Sequence, residues 1–206
     1  MQRSRSPVSS PSILRTFIAI DLDPAIRRAL EATQMYLQLS LPPSSVRWVR
    51  PYGIHLTLKF LGDTPAGRLE DIQRAVASAA AEIPTCSLDI QGLDCFPNQR
   101  QPRVLWMGVR EPTGRLRALW QAIEEHVAPL GWPTEGRGFQ PHLTLGRVGR
   151  QASSTDRRAI GTMVQQANVG WLASMQVREV SFISSDLRPS GAEYTTLAEA
   201  PLRGEE

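Results

Sequence analysis

A four-residue pattern occurs twice in this chain, as His55-Leu56-Thr57-Leu58 and as His142-Leu143-Thr144-Leu145. Alternation of polar and apolar residues has a period of two, so each copy predicts a strand with one face in a core. In the first copy Leu56, Leu58 and Phe60 fall on one face and His55, Thr57 and Lys59 on the other. In the second, Leu143 and Leu145 point inward, with His142 and Thr144 opposite. Each copy therefore offers an imidazole and a hydroxyl two strand steps apart, roughly 6.5 to 7 Å between Cα atoms. Two such strands facing one cleft supply two proton-transfer groups and two neutral donors, a set suited to hydrolysing an anionic compound. The third of the chain's three histidines, His126, lacks this context and reads as an ordinary helix residue.

With 206 residues and 41% hydrophobic content, the chain can bury a sizeable core as one compact, bilobal unit. The formal charge of +3 is mild evidence for an anionic partner. Lys59 is the single lysine, and Arg3 and Arg5 lie in an N-terminal stretch without acidic residues. The remainder is nearly neutral, so a phosphate site must be local. Cys86 and Cys95 form neither a disulfide framework nor a zinc-binding spacing. The apolar run Ile18 to Ile20 is too short for a signal core or membrane span, and a cytoplasmic location is the default expectation.

Residues 1–12 lack apolar periodicity and read as a flexible tail, leaving 13–206 as a single domain. A first strand covers Leu14 to Ile20. Asp23-Pro24 opens a helix with an imperfect stripe of Ile26, Leu30, Thr33, Met35 and Leu37. A short strand at Val46 to Val49 precedes the first histidine strand, which Gly62-Asp63-Thr64-Pro65 ends near Leu61. Leu69, Ile72, Val76 and Ala80 mark a second helix. Strands follow at Leu88 to Leu93 and Arg103 to Val109, then a helix from Leu116 to Leu130 stopped by Gly131. The second histidine strand spans Phe139 to Val148. A weaker helix lies around Ala159 to Gln166, with strands near Gln176 to Ser184 and Tyr194 to Ala198. These elements predict an α/β or α+β fold, and the duplicated motif predicts an internal pseudo-two-fold with the motif strands meeting where the lobes join.

Several residues beside the motifs are candidate substrate contacts. Lys59 shares the parity of His55. Arg147 has the parity of Leu143 and Leu145, so only a bend near Gly146 would turn it toward the site. Phe17, Trp48 and Trp106 could stack on a terminal base, although each lies in an apolar strand where packing also explains it. Two histidines without a cysteine or a spaced carboxylate set make a poor zinc site, so neither a metal nor another cofactor is expected.

The ordered blocks resemble the 2H phosphoesterase superfamily, and more closely the bacterial and archaeal RNA 2',3'-cyclic phosphodiesterases, once described as 2'-5' RNA ligases. They comprise Arg15-Thr16-Phe17-Ile18-Ala19-Ile20-Asp21-Leu22, Val46-Arg47-Trp48-Val49 through Gly62, Pro102-Arg103-Val104-Leu105-Trp106, Ala128-Pro129-Leu130-Gly131, Pro141 through Val148, and Ser185-Asp186-Leu187-Arg188-Pro189. The resemblance covers nearly everything after the tail. It implies a bilobal α+β fold, with antiparallel sheets around a central cleft and helices outside. It implies hydrolysis of RNA 2',3'-cyclic phosphate ends to 2'-phosphomonoesters, with His55 as proton donor, His142 as proton acceptor, and Thr57 and Thr144 holding phosphoryl oxygens. Partners would be RNA ends, including tRNA fragments or cyclic nucleotides, with no membrane and a monomeric enzyme. Reversible 2'-5' ligation and non-catalytic binding of RNA ends are the competing functions. Many relatives carry alanine or another small residue where Gly146 stands, a change expected to loosen the strand.

Overall fold

The computed structural model describes residues 12–188 and 191–204. The tail reading of residues 1–12 thus falls, apart from Ser12, outside the described residues, as does Pro189 of the last family-like block. In chain order the elements are β1 (Ile13–Ile20), α1 (Pro24–Ser40), β2 (Val46–Trp48), β3 (Leu56–Pro65), α2 (Leu69–Ala81), β4 (Cys86–Phe96) and β5 (Val104–Arg110). They continue with α3 (Arg115–Val127), β6 (His142–Val148), α4 (Ser154–Gln166), β7 (Trp171–Val177), β8 (Glu179–Arg188) and β9 (Gly191–Pro201). All strand pairs are antiparallel. They form one sheet ordered β3-β1-β8-β9 and another ordered β2-β6-β5-β4-β7. The fold is α+β, one of the two classes the elements allow and the one the family resemblance implies.

The two sheets match strand for strand when β3-β1-β8-β9 is laid on β6-β5-β4-β7. α1 follows β1 as α3 follows β5, and α2 follows β3 as α4 follows β6. The histidine strands therefore hold equivalent places, which is the two-fold that the repeated motif predicts. One core runs through both halves, with Ile18, Ile20, Leu56, Leu58, Leu105, Met107, Leu143 and Leu145 all buried in it. Removing each such side chain from water stabilises the fold by about 1.5–3 kcal/mol. On the opposite face of β1, Phe17 and Ala19 join Ile183 in a separate small cluster. That second face carries the candidate site.

Local signals place most elements but miss several ends. Asp23 precedes α1 as expected, yet its side chain makes no cap hydrogen bond. Gln34, not Thr33 or Met35, completes the buried stripe with Ile26, Leu30 and Leu37. The Gly62–Pro65 segment bends β3 without ending it, Gly62 taking φ +70° while the ladder to β1 continues to Pro65. The single strand predicted at Gln176 to Ser184 is two, separated at Arg178 so that β7 joins one sheet and β8 the other. α4 begins at Ser154, earlier than its apolar residues suggest, because Ser153 and Asp156 form a capping box.

Candidate active site

Each histidine strand carries a β-bulge at the fourth residue of its motif. Opposite β1, Ala19 pairs with Thr57 and Ile18 with Lys59, which leaves Leu58 as the extra residue. Opposite β5, Trp106 pairs with Thr144 and Leu105 with Gly146, which leaves Leu145. A bulge breaks the strict alternation of faces. Beyond it, Lys59 and Gly146 turn inward and are buried, while Phe60 and Arg147 are exposed.

The bulges correct two sequence assignments and support a third. Lys59 does not share the face of His55: it is 3% exposed, and its Nζ donates to Glu124 Oε2 at 2.7 Å and to the Pro133 carbonyl at 2.9 Å. It is an internal ion pair between β3 and α3, not a substrate contact. Phe60, assigned to the core, is instead 58% exposed and lies 5.9 Å from the Phe17 ring. Arg147 is redirected outward by the bend that its parity required. Gly146 has no unusual backbone conformation to explain it. A Cβ there would lie 2.6 Å from Val46 Cγ1 and 3.2 Å from Trp48, so the glycine admits β2 at close range and does not loosen the strand.

His55 is half-buried, its ring stacked on Phe17 at 4.6 Å and meeting the edge of Tyr194 at 5.2 Å. Burial lowers its pKa to about 4, opposed by the nearby Asp21 carboxylate and a hydrogen bond to the Gly53 backbone. Phe17 is 2% exposed, so it backs the imidazole and offers no free face to a base. Trp48 pairs with Gly146 and is partly buried, one side of it packed against the core. Trp106 is buried and stacks on Phe96 at 4.9 Å.

His142 stands in a matching aromatic setting, edge-on to Phe96 at 5.0 Å and 6.0 Å from Trp106. Its Nδ1 lies 2.8 Å from the Gln140 carbonyl. A carbonyl only accepts, so Nδ1 carries a proton, and in the neutral tautomer that fits this contact Nε2 is the basic nitrogen. Thr57 and Thr144 are half-buried, and among the described residues neither hydroxyl has a protein partner. Both remain available to a ligand.

The two halves are tied together by Gln34, which the sequence reading overlooked. Its amide donates to the carbonyls of Val49 at 2.7 Å and Leu145 at 2.8 Å, while the Val49 N–H donates to the Leu145 carbonyl at 2.9 Å. From there one 3-10 turn, Pro51–Gly53, leads into His55. β3 and β6 consequently approach within 8 Å, Cα to Cα. Tyr194 closes the arrangement: its ring lies 3.3 Å from where a Gly53 Cβ would be. Burial raises the Tyr194 pKa, and the charges of Arg147 from the other half and of Arg15 oppose that rise. Neither Gln34 nor Tyr194 carries a motif signal, although a glutamine interrupting an apolar helix stripe is the kind of residue that warrants a partner.

The LigT like Phosphoesterase family profile matches residues 20–106 and 108–194, one histidine motif in each stretch. The chain belongs to this family. As a LigT-like phosphoesterase it is 35% identical to the RNA 2',3'-cyclic phosphodiesterase of Methanothermobacter thermautotrophicus, over 89% of this chain and 96% of that protein. It is 29% identical to the RNA 2',3'-cyclic phosphodiesterase of Aquifex aeolicus, over 93% and 99%. Among solved structures it is similar to E. coli LigT complexed with 3'-AMP, with TM-score 0.74 and 26% identity over 93% of this chain and 99% of that one. A Thermus thermophilus protein gives TM-score 0.75 and 27% identity over 94% and 100%.

Among the described residues of this LigT-like phosphoesterase, no group of three or more His, Cys, Asp or Glu side chains could hold a metal. Cys86 and Cys95 are free, buried thiols, each pushed up to about 11 by burial. His126 pairs with Glu82 at 2.8 Å on the helical surface. No helix of the described residues is long and apolar enough to cross a membrane.

Proposed function

We propose that this protein hydrolyses 2',3'-cyclic phosphate ends of RNA to 2'-phosphomonoesters. His142 acts as the base, His55 as the acid, and Thr57 and Thr144 donate to the non-bridging oxygens. The observation that carries the reading is the His142 tautomer. With Nδ1–H committed to the Gln140 carbonyl, Nε2 is free to take a proton from water as that water attacks phosphorus. The P–O3' bond breaks in line, and the protonated His55 delivers its proton to the departing 3' oxygen. A new P–O bond and one O–H bond replace those lost, and solvent exchange resets both imidazoles. Arg147, turned outward beside Thr144, adds positive potential for the anion. Both motifs lie in one chain, so a monomer suffices as the catalytic unit.

The test is incubation in EDTA with a short RNA ending in a 2',3'-cyclic phosphate, the products being resolved by phosphorus NMR. The expected product is the 2'-phosphate. His55→Ala and His142→Ala should each lower turnover by about 10²- to 10⁴-fold, the usual contribution of a positioned acid or base. A 3'-phosphate product, or undiminished turnover in either variant, refutes the assignment.

A further inference from the structure

Beyond the histidine pair, the end of β6 opens into a groove of about 1180 Å³ between α4 and the 97–103 loop, with Arg100, Arg103, Arg150, Arg157 and Arg158 in its lining and no Asp or Glu. The folded part of the chain is close to neutral, so five guanidinium groups in one groove without a carboxylate amount to a local segregation of charge. Four of them are free. Arg100, Arg103, Arg150 and Arg158 are exposed, and among the described residues their guanidinium groups have neither an ion-pair nor a hydrogen-bond partner. The acidic residue nearest along α4, Asp156, is engaged by the Ser153 N–H and hydroxyl at 2.8 Å.

The groove is also held in shape. Arg157 donates to the Pro102 carbonyl at 3.1 Å and to the Gly149 carbonyl at 3.1 Å, bridging the two walls. At Gly161 the loop rests directly on α4: a Cβ there would fall 1.9 Å from the Gln99 carbonyl oxygen. Only glycine allows that approach. The walls connect to the catalytic centre by two routes. The 97–103 loop leaves β4 at Phe96, whose ring meets His142, and the Arg103 carbonyl accepts from the N–H of Val148, the groove residue that follows Arg147. Val148 is six residues from His142 along β6, roughly 20 Å at the usual strand rise. A mononucleotide at His142 cannot cover that distance, whereas a polymer can.

We infer that this groove binds backbone phosphates of single-stranded RNA on the 5' side of the reacting end, so that the protein prefers a polymer to a cyclic mononucleotide. The inference rests on the proposed function for the identity of the polymer. Arginine suits the task because its planar fork pairs with phosphate oxygens without reading a base. Sequence-independent holding follows. Four phosphates neutralised on a single strand give a slope of log affinity against log salt near −2.8, at about −0.7 per phosphate. From about 50 to 200 mM salt the affinity should then fall about 50-fold.

The experiment combines Arg100→Gln, Arg103→Gln, Arg150→Gln and Arg158→Gln in one protein whose thermal unfolding is checked first. Binding of a fluorescent oligoribonucleotide of about a dozen residues is followed by anisotropy across that salt range. The oligonucleotide ends in a 3'-hydroxyl, so binding is read without turnover. Turnover is measured in parallel on a nucleoside 2',3'-cyclic monophosphate and on the same oligonucleotide bearing a cyclic phosphate. The expected result is a flattened salt slope, a raised KM for the oligonucleotide and unchanged kcat/KM for the mononucleotide. Unaltered oligonucleotide binding overturns the inference, as does an equal loss on both substrates, which would place the arginines at the catalytic centre. R158E, a single change on the exposed face of α4, repeats the test should the combined variant unfold. If the unmodified protein binds the oligonucleotide in this groove but turns over neither substrate, the proposed function fails while the groove stands.

Discussion

His55 must be protonated to act as the proposed acid, yet burial beside Phe17 lowers its pKa to about 4. At pH 7 this leaves about one imidazole in a thousand charged. The anionic substrate supplies the difference. Two unit charges about 4 Å apart at an effective dielectric near 20 attract by about 4 kcal/mol. At about 1.36 kcal/mol per unit, this equals about three pKa units. A phosphate bound as proposed, between Thr57 and Thr144, should therefore raise the His55 pKa enough to offset much of the effect of burial, so that the acid is charged when substrate is present. Inorganic sulfate, charged at every pH used, is a suitable probe. With three histidines in the chain, proton–nitrogen spectra of the imidazoles can be assigned with His55→Asn and His142→Asn. Without sulfate the His55 signal should stay neutral down to about pH 4. In saturating sulfate it should titrate at least two units higher, with chloride at equal ionic strength as control. A His55 that titrates near 6.5 when free, or that stays near 4 with the anion bound, refutes the reasoning and its role as the acid.

The same shift predicts an acid-labile fold. The folded-state pKa lies below the ordinary 6.5, so between pH 6.5 and 4 the unfolded chain binds the proton and the native state does not. Stability should fall by up to roughly 3 kcal/mol over that window as pH drops, and denaturant melts of His55→Phe, which keeps a ring against Phe17, should show a smaller loss. Lys59→Met should destabilise by about 3–5 kcal/mol by stranding the buried Glu124 carboxylate, lowering Tm by roughly 6–20 °C in a chain of this size. Adding Glu124→Leu should recover most of that and keep turnover; a persistent loss of kcat in the recovered double variant would return Lys59 to the substrate site. Gly146→Val should destabilise by at least about 1–3 kcal/mol through overpacking against Val46, read as a lower urea midpoint, and an unchanged midpoint would show that β2 moves aside at no cost.

What could be read from the chain alone was local chemistry and local period. The two His-x-Thr segments named both imidazoles and both hydroxyls, and alternation placed them on strands, because a strand's two faces are written in successive residues. The two-fold followed from the same repeat, whereas the choice of α+β over α/β came from the family resemblance. Tertiary structure decided the rest. The bulges at Leu58 and Leu145 depend on how β1 and β5 register against them, and no periodicity inside β3 or β6 announces a slip imposed by a partner strand. That slip carried Lys59 into an ion pair and Arg147 out to the surface. Gln34 reaches the carbonyl of Leu145 across 111 positions of sequence, and Tyr194 reaches His55 from the last strand, so neither contact has a local signature. The hydrogen bonding of His142 was likewise decided in three dimensions: the Gln140 carbonyl, which can only accept, takes the Nδ1–H and leaves Nε2 as the ring's basic nitrogen.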